Sequence, residues 1–267
     1  MSCCAGRSRD EHGRYRLQKI PRRVRPRGWS PLTALRDVDL HIPAGEFVCI
    51  VGRSGGGKST LVRALAGLIP PTAGSLLVDG RTVAGPSAER AMVFQEDTVF
   101  PWLRVIDNVE FGLKNQALAK PERLKQAKFW LEAVGLSDFA GAWPRQLSGG
   151  MRKRVALATV FAVGASILIM DEPFGALDFV TRANLHSVVL DLWQRSASTI
   201  VFVTHDIEEA LVLGDRILVV SGGQIQDDMR CNLPRPRNED VLGSAEALGL
   251  RKTIIAHLGL SGAGGLS

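Results

Sequence analysis

Apolar and polar positions fall into short blocks along this chain, and the blocks change period from two to near four and back. Phe47–Val51 is an unbroken apolar run, bounded by the turn Pro43-Ala44-Gly45 before it and by glycines after it. A run of that length and composition predicts a strand buried on both faces. Val38–His41 predicts a strand ahead of the same turn, and Ser59–Leu68 repeats apolar residues at helical spacing until Pro70-Pro71. Residues 75–95 read as short strands separated by Gly80 and by Gly85-Pro86. Residues 104–142 read as mostly helical, with Pro121 opening one helix and Gly135 closing it. A helix from about Gly150 to Val163 follows. Three fully apolar runs then predict buried strands: Ile167–Met170, ending in Asp171-Glu172; Thr199–Val203, ending in Thr204-His205; and Ile217–Ser221. Apolar strands alternating with helices predict an α/β fold with a mostly parallel sheet covered on both faces. One weak helix, Val241–Leu258, is expected in the C-terminal extension 236–267. No internal repeat is present.

Composition changes this picture little: 267 residues, 45% apolar and 22% charged, suit a folded chain with a sizeable core. Charge changes it more. The net charge of +6 suggests a nucleic-acid partner until it is divided along the chain. Residues 1–28 carry nine Lys or Arg against two acids, a balance of +7, which leaves −1 for all the rest. The basic character thus belongs to a terminal segment, expected to be an unstructured, solvated tail, and no nucleic acid is expected as a partner. Cys3, Cys4, Cys49 and Cys231 have no spacing of a disulfide framework or zinc site, which points to a reducing compartment. The start lacks the apolar stretch of a secretory signal, and Val155–Met170 is too short to span a bilayer, so membrane association would run through partners.

The chemistry concentrates at strand ends. Gly52-Arg53-Ser54-Gly55-Gly56-Gly57-Lys58-Ser59 fits the pattern G-x-x-x-x-G-K-[ST], with a strand before it and a helix after it. Glycines let the backbone wrap so that several N–H groups meet one phosphate, and the helix adds its positive end. Lys58 can reach the β- and γ-phosphates of a nucleotide, and the Ser59 hydroxyl can ligate Mg²⁺. Asp171 and Glu172, adjacent at a strand tip, suit a Mg²⁺ ligand and a polariser of attacking water respectively. Leu147-Ser148-Gly149-Gly150 opens a helix with small residues. It reads either as a plain cap with Ser148 as N-cap or as a second anion site.

In order and spacing, Gly52–Thr60, Gln95, Leu147–Gly150, Ile167–Glu172, Ala176-Leu177-Asp178 and His205 resemble the nucleotide-binding subunits of ABC transporters, from about residue 29 to residue 235. The resemblance implies a P-loop NTPase (RecA-like) core with an antiparallel β-subdomain and a helical subdomain inserted at about 96–160. It implies ATP and Mg²⁺ as cofactors and a head-to-tail pair of identical chains, in which Ser148, Gly149, Gly150 and Asp178 of one chain meet the ATP held by the other. Gln95 would sense Mg²⁺ and water. His205 would hold the γ-phosphate and orient Glu172, and Trp29 would stack on adenine. Phe94-Gln95-Glu96-Asp97, Phe100-Pro101-Trp102-Leu103 and Leu233-Pro234-Arg235-Pro236-Arg237 resemble the branch that imports sulfonates, taurine and nitrate, with aliphatic-sulfonate importers nearest. That branch implies integral membrane permease partners, docking near Phe100–Trp102, a solute-binding protein acting indirectly, and a peripheral place on the cytoplasmic face of the inner membrane. Three departures from the family pattern are Thr159 for an Arg, Lys153 for a Gln, and Arg-rich sequence in place of the usual first strand. A soluble relative acting on nucleic acid or ribosomes is the competing reading. It usually needs two ATPase halves or a coiled-coil insertion, and 267 residues hold neither.

Overall fold

Strand formation begins inside the segment whose charge argued against it. The computed structural model describes residues 15–24, 32–95, 99–114, 116–175 and 177–259, with side chains from residue 34 onward. β1 (Tyr15–Val24) pairs antiparallel with β2 (Leu32–Ile42) on one side and β4 (Ser75–Val78) on the other. The expectation of an unstructured segment through residue 28, with no first strand, is therefore corrected for residues 15–24. Tyr15 and Leu17 alternate with polar residues at period two, the register with β2 shifts between Leu17 and Ile20, and a strand needs only one apolar face when it is antiparallel. Trp29, Cys3 and Cys4 lie outside the described residues.

β3 (Phe47–Val51) follows the Pro43–Gly45 turn and is buried throughout. α1 (Lys58–Leu65) ends earlier than its apolar periodicity suggests, because Gly67 turns the chain with a φ of 77°. After β4 come β5 (Arg81–Thr82) and β6 (Arg90–Val93). The predicted helical stretch contains α2 (Val105–Leu113) and α3 (Lys120–Ala133), with Pro121 in its first turn, where a missing N–H costs nothing. Two short 3₁₀ turns then lead to α4 (Gly149–Ala162). β7 (Ile167–Asp171), α5 (Phe179–Ser196), β8 (Thr199–Thr204), α6 (Ile207–Leu213), β9 (Arg216–Ser221) and β10 (Gln224–Arg230) complete the core. The expected C-terminal helix is two: α7 (Glu239–Leu242) and α8 (Ala245–His257), divided at Gly243 because Ser244 caps the second.

Two sheets result. The smaller is antiparallel, in the order β2-β1-β4-β5; the larger runs β10-β9-β3-β8-β7-β6 and is parallel except for the edge strand β10. The large sheet separates two cores by strand alternation. Phe47, Cys49, Val51, Leu168 and Met170 face helices α2 to α6 and α8, while Val48, Ile50, Ile167 and Ile169 face α1 and the small sheet. Continuous apolar strands are what burial on both faces requires.

Candidate nucleotide site

Neighbouring parallel strands deliver their C-terminal ends to one crevice, and in open α/β sheets that is where ligands bind. β3 and β7 flank β8, so the glycine loop after β3 and the acid pair after β7 stand on either side of Thr204-His205. The loop itself is held by backbone. The Gly56 N–H donates to the Arg53 carbonyl at 3.1 Å, and the Gly223 N–H donates to the Gly56 carbonyl at 3.1 Å. Glycine is obligatory at two positions. A Cβ on Gly52 would lie 2.2 Å from the Val220 carbonyl oxygen, and Gly57 has a φ of 102° with the Ala34 carbonyl 2.7 Å from where its Cβ would stand. Arg53, Ser54 and Gly55 are exposed at the mouth, and Ser59 and Thr60 are half-buried in the first turn of α1.

Lys58 is buried at 5% exposure, yet its ammonium donates to the Gly52 carbonyl at 2.8 Å and the Arg53 carbonyl at 3.3 Å. It also stands 3.5 Å from Glu172 Oε1. The other carboxylate oxygen of Glu172 is 3.1 Å from His205 Nδ1. One half-buried carboxylate thus spans a buried cation and an exposed imidazole. Glu172 is held there with a φ of 46°, its N–H donating to the Val203 carbonyl at 3.0 Å. An L residue in this left-handed region is strained, a cost that marks sites where position matters more than stability. Behind it Phe174 is buried against Phe202 and His186.

The Ser59 hydroxyl donates to Asp171 Oδ1 at 3.2 Å. Burial pushes the Asp171 carboxyl above its usual value, aided by Glu172 and opposed by the Ser59 hydrogen bond, Arg63 and Lys58. Ser59 and Asp171 therefore offer two hard oxygens at the foot of the phosphate loop, where a divalent cation would compensate the buried charge. Among the described residues no group of three or more His, Cys, Asp or Glu forms a closed metal cage.

The remaining predicted residues lie in a second group. Ser148 is the N-cap of α4, its hydroxyl accepting from the Met151 N–H at 3.3 Å. Asp178 caps α5 in the same way, accepting from the Thr181 N–H at 3.0 Å, and this bond lowers its carboxyl below the usual value. The two caps adjoin: a Cβ on Gly150 would stand 2.6 Å from Thr181 Cγ2, and one on Gly149 would stand 3.9 Å from Leu177 Cδ2. Ser148, Gly149, Gly150 and Asp178 thus share one patch, beside the exposed pair Phe179 and Val180. Gln95 is exposed, just beyond β6.

Sequence reasoning missed several contacts. Lys153, noted only as a departure, is buried and donates to the Gln95 carbonyl at 2.8 Å, tying α4 to the segment after β6. Thr159 turns its hydroxyl back onto the Val155 carbonyl at 2.8 Å, so it spends its polarity within α4. Arg182 pairs with Asp206 at 2.9 Å and His186 with Glu209 at 2.8 Å, joining α5 to α6 beneath His205. The signal for these was helical: Arg182, His186 and Val189 recur on one face of α5. Cys49 and Cys231 are free and buried, and burial raises both thiols.

Comparison with known proteins bears on the family. The family model described as ABC transporter matches residues 35–175. The nitrate import ATP-binding protein NrtD of Synechocystis sp. is 50% identical over 205 residues, covering 76% of this chain and 77% of that protein. The aliphatic sulfonates import ATP-binding protein SsuB of Escherichia coli (strain K12) is 45% identical over 224 residues, covering 84% of each. Among solved structures, a dimeric bacterial ABC transporter cassette superposes with a TM-score of 0.72 at 32% identity, covering 82% of this chain and 99% of that one. A dimeric post-hydrolysis cassette bound to ADP and Pi gives 0.70 at 30% identity. With this match in sequence and in architecture, the chain belongs to the ABC transporter family, as one of its ATP-binding subunits.

Proposed function

We propose that this chain is the ATP-hydrolysing subunit of an importer for a small oxyanion, with aliphatic sulfonates as the substrate class. The observation that carries the reading is Glu172 held between Lys58 and His205 at the end of β7, next to a glycine loop whose backbone N–H groups can wrap a phosphate chain. On ATP binding Lys58 transfers its donors from loop carbonyls to the β- and γ-phosphates. Gly52–Ser59, with Thr60, supplies the backbone and hydroxyl contacts of the loop, and Trp29 is assigned to the adenine. Glu172 accepts a proton from the attacking water, and His205 fixes the carboxylate and the γ-phosphoryl oxygens. Ser59, Asp171 and Gln95 would hold Mg²⁺, which when bound would supply positive charge beside the phosphate chain.

Ser148, Gly149, Gly150 and Asp178 contact the nucleotide of a second copy of the chain. Their common patch and the exposed apolar pair Phe179 and Val180 support that partner, since exposed apolar groups seek cover. Exposed Trp102 and Phe111 flank the half-buried Phe100, with ring centroids 5.5 and 4.7 Å from it and Trp102 69% exposed, and this is the surface assigned to the permease. Among the described residues no helix is long and apolar enough to cross a membrane. Its likeness to importer ATP-binding proteins supports a place on the cytoplasmic face of the inner membrane, bound through its partners, with a solute-binding protein completing the system. The ATPase unit takes in residues 29–235, with the helical subdomain at about 96–160, and includes β1 ahead of them.

Nitrate is the second reading, favoured by the 50% identity to the nitrate import protein. Uptake of labelled ethanesulfonate and of nitrate by the source cell, native against Glu172→Gln, decides between them. Loss of ethanesulfonate uptake alone supports the first reading, and loss of nitrate uptake alone supports the second. Retention of both, with the variant protein at normal level, excludes both cargoes. Phosphate release by the purified variant at the native rate would remove Glu172 from its role.

A further inference from the structure

Helix α6 begins two residues after His205 and has seven residues, too few to be stable unaided. A helix leaves its last four carbonyls without partners inside it. Here the Ala210 carbonyl accepts from the Gly214 N–H at 2.9 Å. Two arginines, both from the segment after β10, take the rest. Arg237 Nη1 donates to the Leu211 carbonyl at 2.7 Å and the Gly214 carbonyl at 2.5 Å. Arg235 donates to the Val212 carbonyl at 3.5 Å through Nη1 and the Leu213 carbonyl at 2.6 Å through Nη2.

The arginines are themselves anchored. Arg235 Nη2 also meets Asp215 Oδ1 at 2.8 Å, and its guanidinium lies 5.2 Å from the centre of the Trp193 ring. Arg237 reaches carbonyls of its own segment, Cys231 at 2.9 Å and Leu233 at 3.2 Å, and burial lowers its pKa. At the other end of α6, Asp206 caps the Glu208 N–H at 2.9 Å and pairs with Arg182. Arg251 of α8 grips Glu208 with two bonds of 2.6 and 2.7 Å. The helix is therefore a short bar fixed at both ends, with His205 attached where it begins.

We propose that Arg235 and Arg237 are positioning residues for ATP hydrolysis, holding His205 against Glu172 by terminating α6. The inference rests on the ATPase reading above. Releasing the carbonyl end of α6 lets the bar shift, and a displacement of about 1 Å at a catalytic group can lower a rate by up to about a hundredfold.

The test is a kinetic cycle on the full-length chain: native, Arg237→Ala, His205→Ala and the double variant, assayed by single-turnover hydrolysis of radiolabelled ATP below every melting temperature. We expect Arg237→Ala to lower the hydrolysis rate about tenfold, within the range that misplacement produces, with KM changed less than about twofold. In the His205→Ala background the same substitution should lower the rate less than about twofold, because residues acting through one another are not additive. Equal losses in both backgrounds, or a native rate in Arg237→Ala, would overturn the proposal. Where Arg237→Ala melts below the assay temperature, Arg237→Lys carries the same comparison, since it keeps the charge but not the fork of donors. A native chain that releases no more phosphate than His205→Ala refutes the ATPase reading instead.

Discussion

Glu172 has a φ of 46°, and the cost of that backbone can be measured apart from the chemistry of its carboxylate. Glu172→Ala and Glu172→Gly both remove the contacts to Lys58 and His205, so their difference isolates the Cβ. An L side chain in the left-handed region costs about 1–2 kcal/mol, which glycine recovers. Glycine's larger freedom in the unfolded chain returns about 0.5–1 kcal/mol of that. At mid-range values the glycine variant should then be the more stable of the two by about 0.7 kcal/mol, contrary to the usual order of these residues. For a chain of this size that is a melting difference of about 1–4 °C. Thermal unfolding without nucleotide, with urea titration alongside, reads it directly. Both variants should bind ATP, and both should hydrolyse it about a hundredfold to ten-thousandfold more slowly than the native chain, the usual worth of a positioned base. An alanine variant as stable as the glycine variant would refute the claim that strain is stored at this position.

Two further outcomes follow from geometry already described. Because burial raises the Asp171 pKa, the folded protein holds that proton more tightly than the unfolded chain does. This group's stabilisation is full below the ordinary value of 3.8 and is lost as the pH rises through the folded value. Asp171→Asn should therefore raise nucleotide-free stability at neutral pH while weakening Mg²⁺-dependent ATP binding, and a native-like pH profile in the variant would contradict the assignment. Gly150→Ala places a Cβ 2.6 Å from Thr181 Cγ2 and should cost about 1–3 kcal/mol through overpacking. Thr181→Ser, which lacks that methyl, should restore most of the loss in denaturant titrations.

Much of the site could be read from the chain because its elements are local. The glycine loop, Lys58 and Ser59 are contiguous, and Asp171-Glu172 and His205 each end an apolar run that only a buried strand explains. The parallel order then brings the ends together. β1 escaped notice because its Arg-rich alternation looked like a charged tail. An antiparallel strand needs apolar residues on one face only, and partners as distant as Val38 and Leu76 supply the rest of its sheet. The contacts from Lys153 to Gln95, and from Arg235 and Arg237 to α6, were not legible either. Each joins a side chain to a backbone carbonyl remote in sequence, and a carbonyl has no letter in the sequence to signal it. Leu233-Pro234-Arg235-Pro236-Arg237 stood out as a pattern, but only the structure showed what its arginines hold.

The two outer strands of the large sheet bear on a different matter, the risk of aggregation. An unpaired strand edge is a template for another chain. β6 offers only four residues at one edge. β10, at the other, alternates exposed with half-buried positions, carries Asp227 and Asp228, and is bent by a bulge between Ile225 and Asp227. Addition of a foreign strand at β10 would set charge against incoming apolar residues and find the hydrogen-bond spacing broken. Both outer edges of the large sheet thus discourage fusion of one copy to another through their strands.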